Sequence, residues 1–280
     1  MSNAGVAHGP NQAYVFGHSD QELARLNEQA RIVEPITRRF FREAGLVPGM
    51  RVLDVGSGAG DVSFLAADLV GDSGAIVGVD RSSAAVAAAR ARAFAGGRRN
   101  VFFRQGDPCE MTFDEPFDAI IGRYILAFQK HPAAMLKALA KHVRPGGLIV
   151  FHDADIEGCQ SFPPSPIYDL CCRWITETTR LHGIDARTGM KLHSAFVSAG
   201  LPAPTLRLEA VIGGGTNSLD CLRLVGDVIP ILLPEMLRLG VATAAEIGVE
   251  TLAERMINEA ISNDSVIVGR IEIGAWCRVS

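Results

Sequence analysis

Residues 52–60, with the sequence VLDVGSGAG, constrain the fold more than any other segment of this chain. The apolar residues Val52, Leu53 and Val55 are typical of a strand that is covered on both faces. Three glycines follow where the chain must turn into a helix, and they let backbone N–H groups approach a ligand without a Cβ in the way. The segment therefore predicts an α/β protein that holds a nucleotide-like ligand at a strand-to-helix turn.

The spacing of the glycines narrows the class of ligand. From Asp54 to Gly60 the loop reads Asp-x-Gly-x-Gly-x-Gly, which differs from the Gly-x-Gly-x-x-Gly loop of dinucleotide-binding proteins. No lysine follows the loop, which disfavours a nucleoside triphosphate site. Asp61 at the start of the helix would repel a diphosphate, so a ligand with an amine or a sulfonium fits better.

Further apolar strands alternate with helical patterns along the next hundred residues. The predicted strands are residues 52–55, 75–80, 101–107, a stretch that begins at Phe117, and residues 144–153. Strands that alternate with helices in this way predict a parallel sheet with right-handed crossovers. The second strand ends in Asp80, and an acidic residue at that distance from the glycines characteristically accepts hydrogen bonds from ribose hydroxyls. The third strand ends in Asp107, where a carboxylate would meet an adenine amino group.

Taken in order, these motifs resemble those of the class I S-adenosylmethionine-dependent methyltransferases, in particular the branch related to ubiquinone and menaquinone biosynthesis that methylates small molecules. The resemblance rests on residues 54–60, Asp80, Asp107 and the Arg-Pro-Gly-Gly turn at residues 144–147. It implies a Rossmann-like α/β fold with a seven-stranded mixed sheet whose last strand is antiparallel. It also implies S-adenosylmethionine as cofactor and S-adenosylhomocysteine as product.

The resemblance further implies where the cofactor binds. The glycine loop would contact the methionine moiety, Asp80 would hold the ribose, and Asp107 with Pro108 would frame the adenine. Arg123, just past the fourth strand, would lie beside the methyl group. The full set of expected cofactor contacts is Tyr14, Gln29, Gly56, Ser57, Gly58, Gly60, Asp80, Arg81, Gly106, Asp107, Pro108 and Arg123.

Two segments lie outside this minimal pattern. Residues 1–45 are expected to be a helical cover segment, in which Pro35 predicts two helices or a kink, and residues 46–280 the methyltransferase domain. A second helical stretch, residues 218–261, separates predicted strands six and seven. It is apolar and must be covered, so we predict a lid over the active site, with a homodimer interface as the alternative.

The chemical step needs few residues, because a methyl group on a sulfonium is already activated and the protein mainly aligns the reactants. His152 follows the fifth strand at the edge of the sheet where ligands bind, and it is the first candidate for a general base. Asp153 is the second candidate, and a capping role for either residue is the alternative. Residues 122–125 lack the Asn/Asp-Pro-Pro-aromatic motif of enzymes that methylate nucleobases. The expected acceptor is therefore an apolar, aromatic or polyketide-like small molecule that is methylated on oxygen, carbon or nitrogen.

Composition sets further limits. The net charge of −4 shows no electrostatic footprint for nucleic acid, and no segment reads as a signal peptide or a bilayer span, so we expect a cytoplasmic protein. The six cysteines lack C-x-x-C spacing, and no metal is expected. An arsenic-methylating enzyme would need a thiol trio, for which Cys159, Cys171 and Cys221 are the candidates. The remaining rival functions are a nicotinamide-dependent oxidoreductase and a non-catalytic module that binds S-adenosylmethionine.

Overall fold

The computed structural model describes residues 20–280, and the bounds of its elements agree closely with those expected from the sequence. The strands are β1 (Arg51–Val55), β2 (Ala75–Asp80), β3 (Val101–Gln105), β4 (Phe117–Arg123), β5 (Val143–Asp155), β6 (Gln160–Phe162), β7 (Thr205–Gly214) and β8 (Val266–Arg278). The α-helices are α1 (Asp20–Ala44), α2 (Asp61–Val70), α3 (Ser83–Ala95), α4 (Pro132–Leu139), α5 (Pro166–Leu181), α6 (Thr188–Ser198), α7 (Leu219–Gly226), α8 (Ile229–Leu239), α9 (Ala244–Ile247) and α10 (Val249–Ser262).

The strands form one mixed sheet in the order β3-β2-β1-β4-β5-β8, and both β6 and β7 pair with β8. Strands β1 to β5 are parallel, whereas β8 is antiparallel to β5 and to β7. The expected mixed sheet with an antiparallel last strand is therefore confirmed. The sheet has an eighth strand that the sequence analysis missed, because β6 contains only three residues and carries no periodic pattern.

Helices cover both faces of the sheet. On one face, α1 and α2 bury residues such as Phe41 and Leu65 against β1, and on the other face α4 and α6 bury Leu136 and Phe196. Helix α1 crosses close to β8, where a Cβ at Gly274 would lie 2.7 Å from the Phe40 ring. This close approach places one side of α1 directly over the carboxyl ends of β4 and β5.

Two helices or a kink were expected at Pro35, but α1 continues through this residue as a single helix of 25 residues. A proline inside a helix removes one backbone hydrogen bond and typically costs about 3 kcal/mol. Val33, Ile36 and Phe40 on either side of it are all buried against the sheet. Burial of three large apolar side chains contributes more than this penalty, at about 1.5 to 3 kcal/mol each.

The stretch between β7 and β8 forms the four helices α7 to α10. Its apolar side chains pack mainly against α5 of the same chain, in a cluster that joins Trp174 and Ile175 to Leu222, Ile229 and Met236. The structure thus shows what covers most of this apolar surface. Between residues 20 and 280, none of the helices combines the length and the apolar character needed to cross a membrane.

Candidate active site

A cavity of about 260 Å³ opens at the carboxyl ends of β1, β2 and β3. This edge of a parallel sheet is where ligands bind in open α/β folds. The lining residues are Val55, Gly56, Val79, Asp80, Arg81, Gly106, Asp107, Pro108, Ile125, Phe128, Gln129, Met135, His182 and Ile184. Six of the predicted cofactor contacts are among them.

The glycine loop has the tight geometry that its sequence predicts. Gly56 has φ +65°, and a Cβ there would overlap the side chain of Ile125, which lies across the cavity. Gly58 has φ +52° with open space beside it, and its N–H donates to Asp80 Oδ2 at 2.9 Å. Gly60 is required for a different reason, because a Cβ there would lie 2.9 Å from both Phe103 and Phe64. Gly60 and Gly56 therefore both permit close packing, Gly60 against two phenylalanine rings and Gly56 against Ile125.

Asp80 is held rigidly at the end of β2. Its Oδ2 accepts the Gly58 N–H, and its Oδ1 accepts the Ser82 N–H at 2.8 Å. Carboxylate oxygens have about four lone-pair sites in total, so two remain for a ligand. This arrangement fixes a carboxylate that faces the cavity between the glycine loop and the start of α3.

Asp107 follows the neighbouring strand β3 and already forms an ion pair. Arg81 donates to its Oδ2, and the Cys109 N–H donates to its Oδ1 at 2.9 Å. Burial alone would raise the pKa of Asp107, but these hydrogen bonds and the nearby guanidinium outweigh it and lower the pKa. Asp107 is therefore an ionised acceptor for which a ligand must compete with Arg81.

Buried polar atoms beneath the loop are consistent with a ligand at this position. Ser57 is buried, and its Oγ has no hydrogen-bond partner within the described part of the chain. Asp54 is fully buried and accepts a 2.5 Å hydrogen bond from Ser63. Burial raises the pKa of Asp54 to about 7, although Ser63 and the charge of Arg123 act in the opposite direction. Such unsatisfied or perturbed groups cluster at functional sites.

Some predicted cofactor residues lie elsewhere. Gln29 and Arg123 do not line the cavity, and Arg123 instead donates to Thr37 Oγ1 of α1 at 3.1 Å. Tyr14 falls outside the described residues. His182, by contrast, does line the cavity, and its Nε2 lies 2.8 Å from Glu235 of α8. The place of His182 in the cavity wall could not be predicted from local sequence patterns, because its contact with Glu235 joins two helices that are distant along the chain.

His152 is completely enclosed below α1. Its Nδ1 lies 3.1 Å from Thr37 Oγ1, and its Nε2 lies 2.8 Å from Glu272 Oε2. Burial lowers the pKa of His152, against the opposing effect of Glu272, so the ring is neutral near pH 7. With both nitrogens occupied and no exposed surface, His152 has no direct path to an acceptor in this conformation.

Asp153 also points away from the cavity. Its Oδ2 accepts the Leu126 N–H at 3.3 Å, and its Oδ1 is buried without a partner in the described residues. Burial raises the pKa of Asp153 to about 8, with a smaller contribution from Glu272. A carboxyl group that is protonated at neutral pH is not poised to accept a proton.

A buried polar network on β8 was not anticipated from the sequence. Glu272 accepts hydrogen bonds from His152, from Tyr124 Oη at 2.8 Å and from Arg270 Nε at 2.9 Å. Burial alone would raise the pKa of Glu272, but Arg270 and the hydrogen bonds lower it to about 2. Arg270 also donates to Gln29 of α1 at 3.0 Å. The sequence feature that could have indicated this network is the pair of opposite charges at Arg270 and Glu272, two residues apart in an otherwise apolar strand.

The cysteines do not form the trio that an arsenic-binding site would use. Cys159 contacts Cys172 and Tyr168, whereas Cys171 and Cys221 are buried elsewhere in the helical cluster. Among residues 20–280, no group of three or more His, Cys, Asp or Glu side chains is arranged to hold a metal ion.

Comparisons with known proteins agree with this geometry. Residues 46–182 match a methyltransferase domain family. An arsenite methyltransferase from Halobacterium salinarum is 32% identical over 39% of this chain and 28% of its own length. A demethylmenaquinone methyltransferase from Lactococcus lactis is 29% identical over 46% of this chain and 50% of its own. An aklanonic acid methyltransferase from a Streptomyces species is 33% identical over 49% of this chain and 61% of its own. The chain therefore spans less than two thirds of each of these relatives.

A solved structure supports the fold over nearly the whole chain. A protein from Bacillus halodurans, described as a methyltransferase, superposes with a TM-score of 0.53 at 16% identity. The superposition covers 86% of this chain and 96% of that chain. At this identity the likeness concerns the architecture alone, and it extends beyond residues 46–182 to the later strands and helices.

Proposed function

Because residues 46–182 form a class I S-adenosylmethionine-dependent methyltransferase domain, we propose that this chain transfers a methyl group from S-adenosylmethionine to a small organic acceptor. The observation that carries the proposal is the cavity at the ends of β1, β2 and β3, with two glycines and two carboxylates in its wall. The cofactor would supply a methyl group on a positively charged sulfur, which makes the donor reactive without metal or redox chemistry.

Different residues of the cavity wall would bind different parts of the cofactor. Asp80, held by two backbone N–H groups, would accept hydrogen bonds from the ribose hydroxyls. Asp107 would accept from the adenine amino group in place of Arg81, with Gly106 and Pro108 beside the ring. Ser57 would gain a partner for its Oγ. The methionine end would lie against the glycine loop beside Gly56, which lines the cavity together with Ile125.

The acceptor is best described as an apolar, aromatic or polyketide-like molecule. Two relatives are named for demethylmenaquinone and aklanonic acid. The side chains beside Tyr124 are apolar and come from α1 and α7, namely Ile32, Val33 and Leu224, with Val211 of β7. Residues 218–261 supply part of this cover, so we extend the proposal to a lid that closes on the acceptor.

A calorimetric titration of the whole chain tests the cofactor assignment. S-adenosylmethionine and S-adenosylhomocysteine should both bind at one site, whereas NAD should show no heat of binding. The Asp-x-Gly-x-Gly-x-Gly loop and Asp61 at the helix start are the reasons to expect this discrimination. Binding of NAD without S-adenosylhomocysteine would replace the proposal with an oxidoreductase.

Turnover separates an enzyme from a non-catalytic module that binds the cofactor. Methyl-labelled S-adenosylmethionine should transfer its label to at least one member of a panel of phenols, quinols and polyketide aromatics. Tight cofactor binding with no transfer to any member of that panel would favour the non-catalytic module.

A further inference from the structure

In the network on β8, one position lies between two cations, as a site for an anionic oxygen would. The neutral amide oxygen of Gln29 occupies this position. Gln29 Oε1 accepts a hydrogen bond from Arg270 Nη1 at 3.0 Å and another from Arg25 Nη1 at 2.9 Å. Two guanidinium groups thus converge on a single amide oxygen. Charge-assisted pairs of guanidinium with carboxylate or a similar oxyanion are about twice as strong as those with a neutral oxygen.

The groups that orient Arg270 are fixed. Glu272 is fully buried and holds Arg270 Nε at 2.9 Å, and Tyr124 Oη accepts from Arg270 Nη2 at 2.7 Å. Arg270 therefore has Nη1 directed at α1, while its other hydrogen bonds run to the sheet. Gln29 lies on α1 one turn after Arg25, and a rotation of its side chain can release Oε1 while Arg25 and Arg270 stay in place.

Strain at Tyr124 also points to function. Tyr124 has φ +58°, a left-handed conformation that bulky residues seldom adopt. The conformation brings its hydroxyl between Glu272 and Arg270. The next residue, Ile125, lines the cofactor cavity, so the network adjoins that cavity. Apolar side chains from α1 and α7 pack against Tyr124, while the guanidinium of Arg270 lies over its ring.

Resting on the proposed function, we propose that the position of Gln29 Oε1 is the anchoring site for an ionised oxygen of the acceptor, a phenolate or enolate. The acceptor oxygen takes the place of the Gln29 amide between Arg25 and Arg270, with Tyr124 Oη beside it. The surrounding apolar residues contact the rest of the molecule. The Gln29 side chain turns aside to admit the acceptor, and until then it acts as an internal stand-in that fills the site.

Two probe ligands of nearly equal shape test the site. 4-Nitrophenol carries an ionisable oxygen, and 4-nitroanisole carries the same oxygen as a methyl ether. With the chain saturated in S-adenosylhomocysteine at pH 8, calorimetry should show at least about tenfold tighter binding of 4-nitrophenol, which corresponds to about 1.4 kcal/mol. The visible absorbance of the bound probe should be that of the phenolate.

Two variants distinguish the site from a structural network. Gln29→Ala removes the competing amide and should tighten 4-nitrophenol binding about threefold to tenfold, whereas a merely structural role would not improve it. Tyr124→Phe removes one hydroxyl and should weaken 4-nitrophenol binding by a similar factor. Arg42→Ala, at an exposed position in the last turn of the same helix, is the matched control and should leave binding unchanged.

The outcomes separate this inference from the proposed function. Equal binding of the two probes, no detectable binding of 4-nitrophenol, or a Gln29→Ala variant without tighter binding overturns the anchoring site. Failure of the wild-type chain to bind S-adenosylhomocysteine in the same calorimeter overturns the proposed function instead. Thermal unfolding of each variant verifies that it is folded before its binding is compared.

Discussion

Nε2 of His152 lies 2.8 Å from Oε2 of Glu272, and both side chains are completely buried beneath α1. The pair joins β5 to β8 at the edge of the sheet where the cofactor cavity opens. Because Glu272 stays ionised and His152 stays neutral, the imidazole acts here as a hydrogen-bond donor. Any influence of His152 on the acceptor must therefore pass through Glu272 and Tyr124.

Replacing His152 with Ala should lower the free energy of unfolding by about 2 to 4 kcal/mol at pH 7.5. The variant leaves the buried Glu272 carboxylate without one donor and opens a cavity under Phe40. Urea denaturation measures the change, and His193→Ala on the exposed face of α6 is the control. A loss no greater than that of the control would mean that the network does not stabilise the fold.

The same variant should alter the dependence of stability on pH. Burial lowers the pKa of His152 in the folded state below its usual 6.5, so the unfolded chain takes up a proton that the folded chain resists. The free energy of unfolding of the wild type therefore keeps the contribution of His152 above pH 6.5 and loses it as the pH falls below that value. Unfolding curves between pH 5 and 8 should show a smaller decline on acidification for His152→Ala than for the wild type.

Asp153 should make the free energy of unfolding depend on pH with the opposite sign to His152. Its folded pKa is raised to about 8 from 3.8, so the folded chain holds a proton that the unfolded chain releases, and stability falls as the pH rises through this window. Asp153→Asn removes the titration and should stabilise the chain by about 1 to 3 kcal/mol at pH 8. The difference from wild type should vanish near pH 4, and urea denaturation at both pH values measures it. Equal stabilisation at both values would contradict the buried, protonated carboxyl.

Arg81 should act as a competitor of the cofactor. It occupies Asp107 Oδ2, the atom that the adenine amino group is proposed to use. Arg81→Ala should raise the affinity for S-adenosylhomocysteine by up to about fivefold, because an exposed ion pair is worth only about 0.2 to 1 kcal/mol. The exposed Arg99→Ala serves as control in the same titration. Weaker binding by Arg81→Ala would show instead that Arg81 contacts the cofactor directly.

The parallel part of the fold was predictable because its signals are local. Apolar runs ending in Asp80 and Asp107, and glycines with positive φ, can each be identified within ten residues of sequence. The bounds expected for the strand at residues 75–80 agree with those of β2. The local signal of Pro35 allowed two helices or a kink, and of these the structure excludes two separate helices, because tertiary packing keeps α1 continuous.

The polar network could not be predicted in the same way. Glu272 and Arg270 lie on an apparently ordinary edge strand, and their partners come from α1, β4 and β5, as far as 241 positions away in the case of Gln29. Each contact depends on how α1 crosses the sheet, which the pattern of one segment does not specify. His152 was predicted from its place at the end of β5 as the first candidate for a general base, but its enclosure by Thr37 depends on the same crossing.

The affinity of Asp80→Ala for S-adenosylmethionine tests the central claim most directly. The substitution removes the proposed ribose acceptor and frees the N–H groups of Gly58 and Ser82. Calorimetry should show binding weaker by about 1 to 3 kcal/mol than in the wild type, while Asp114→Ala in an exposed loop should bind as the wild type does. Unchanged affinity of a folded Asp80→Ala variant would contradict the assignment of this cavity to the cofactor.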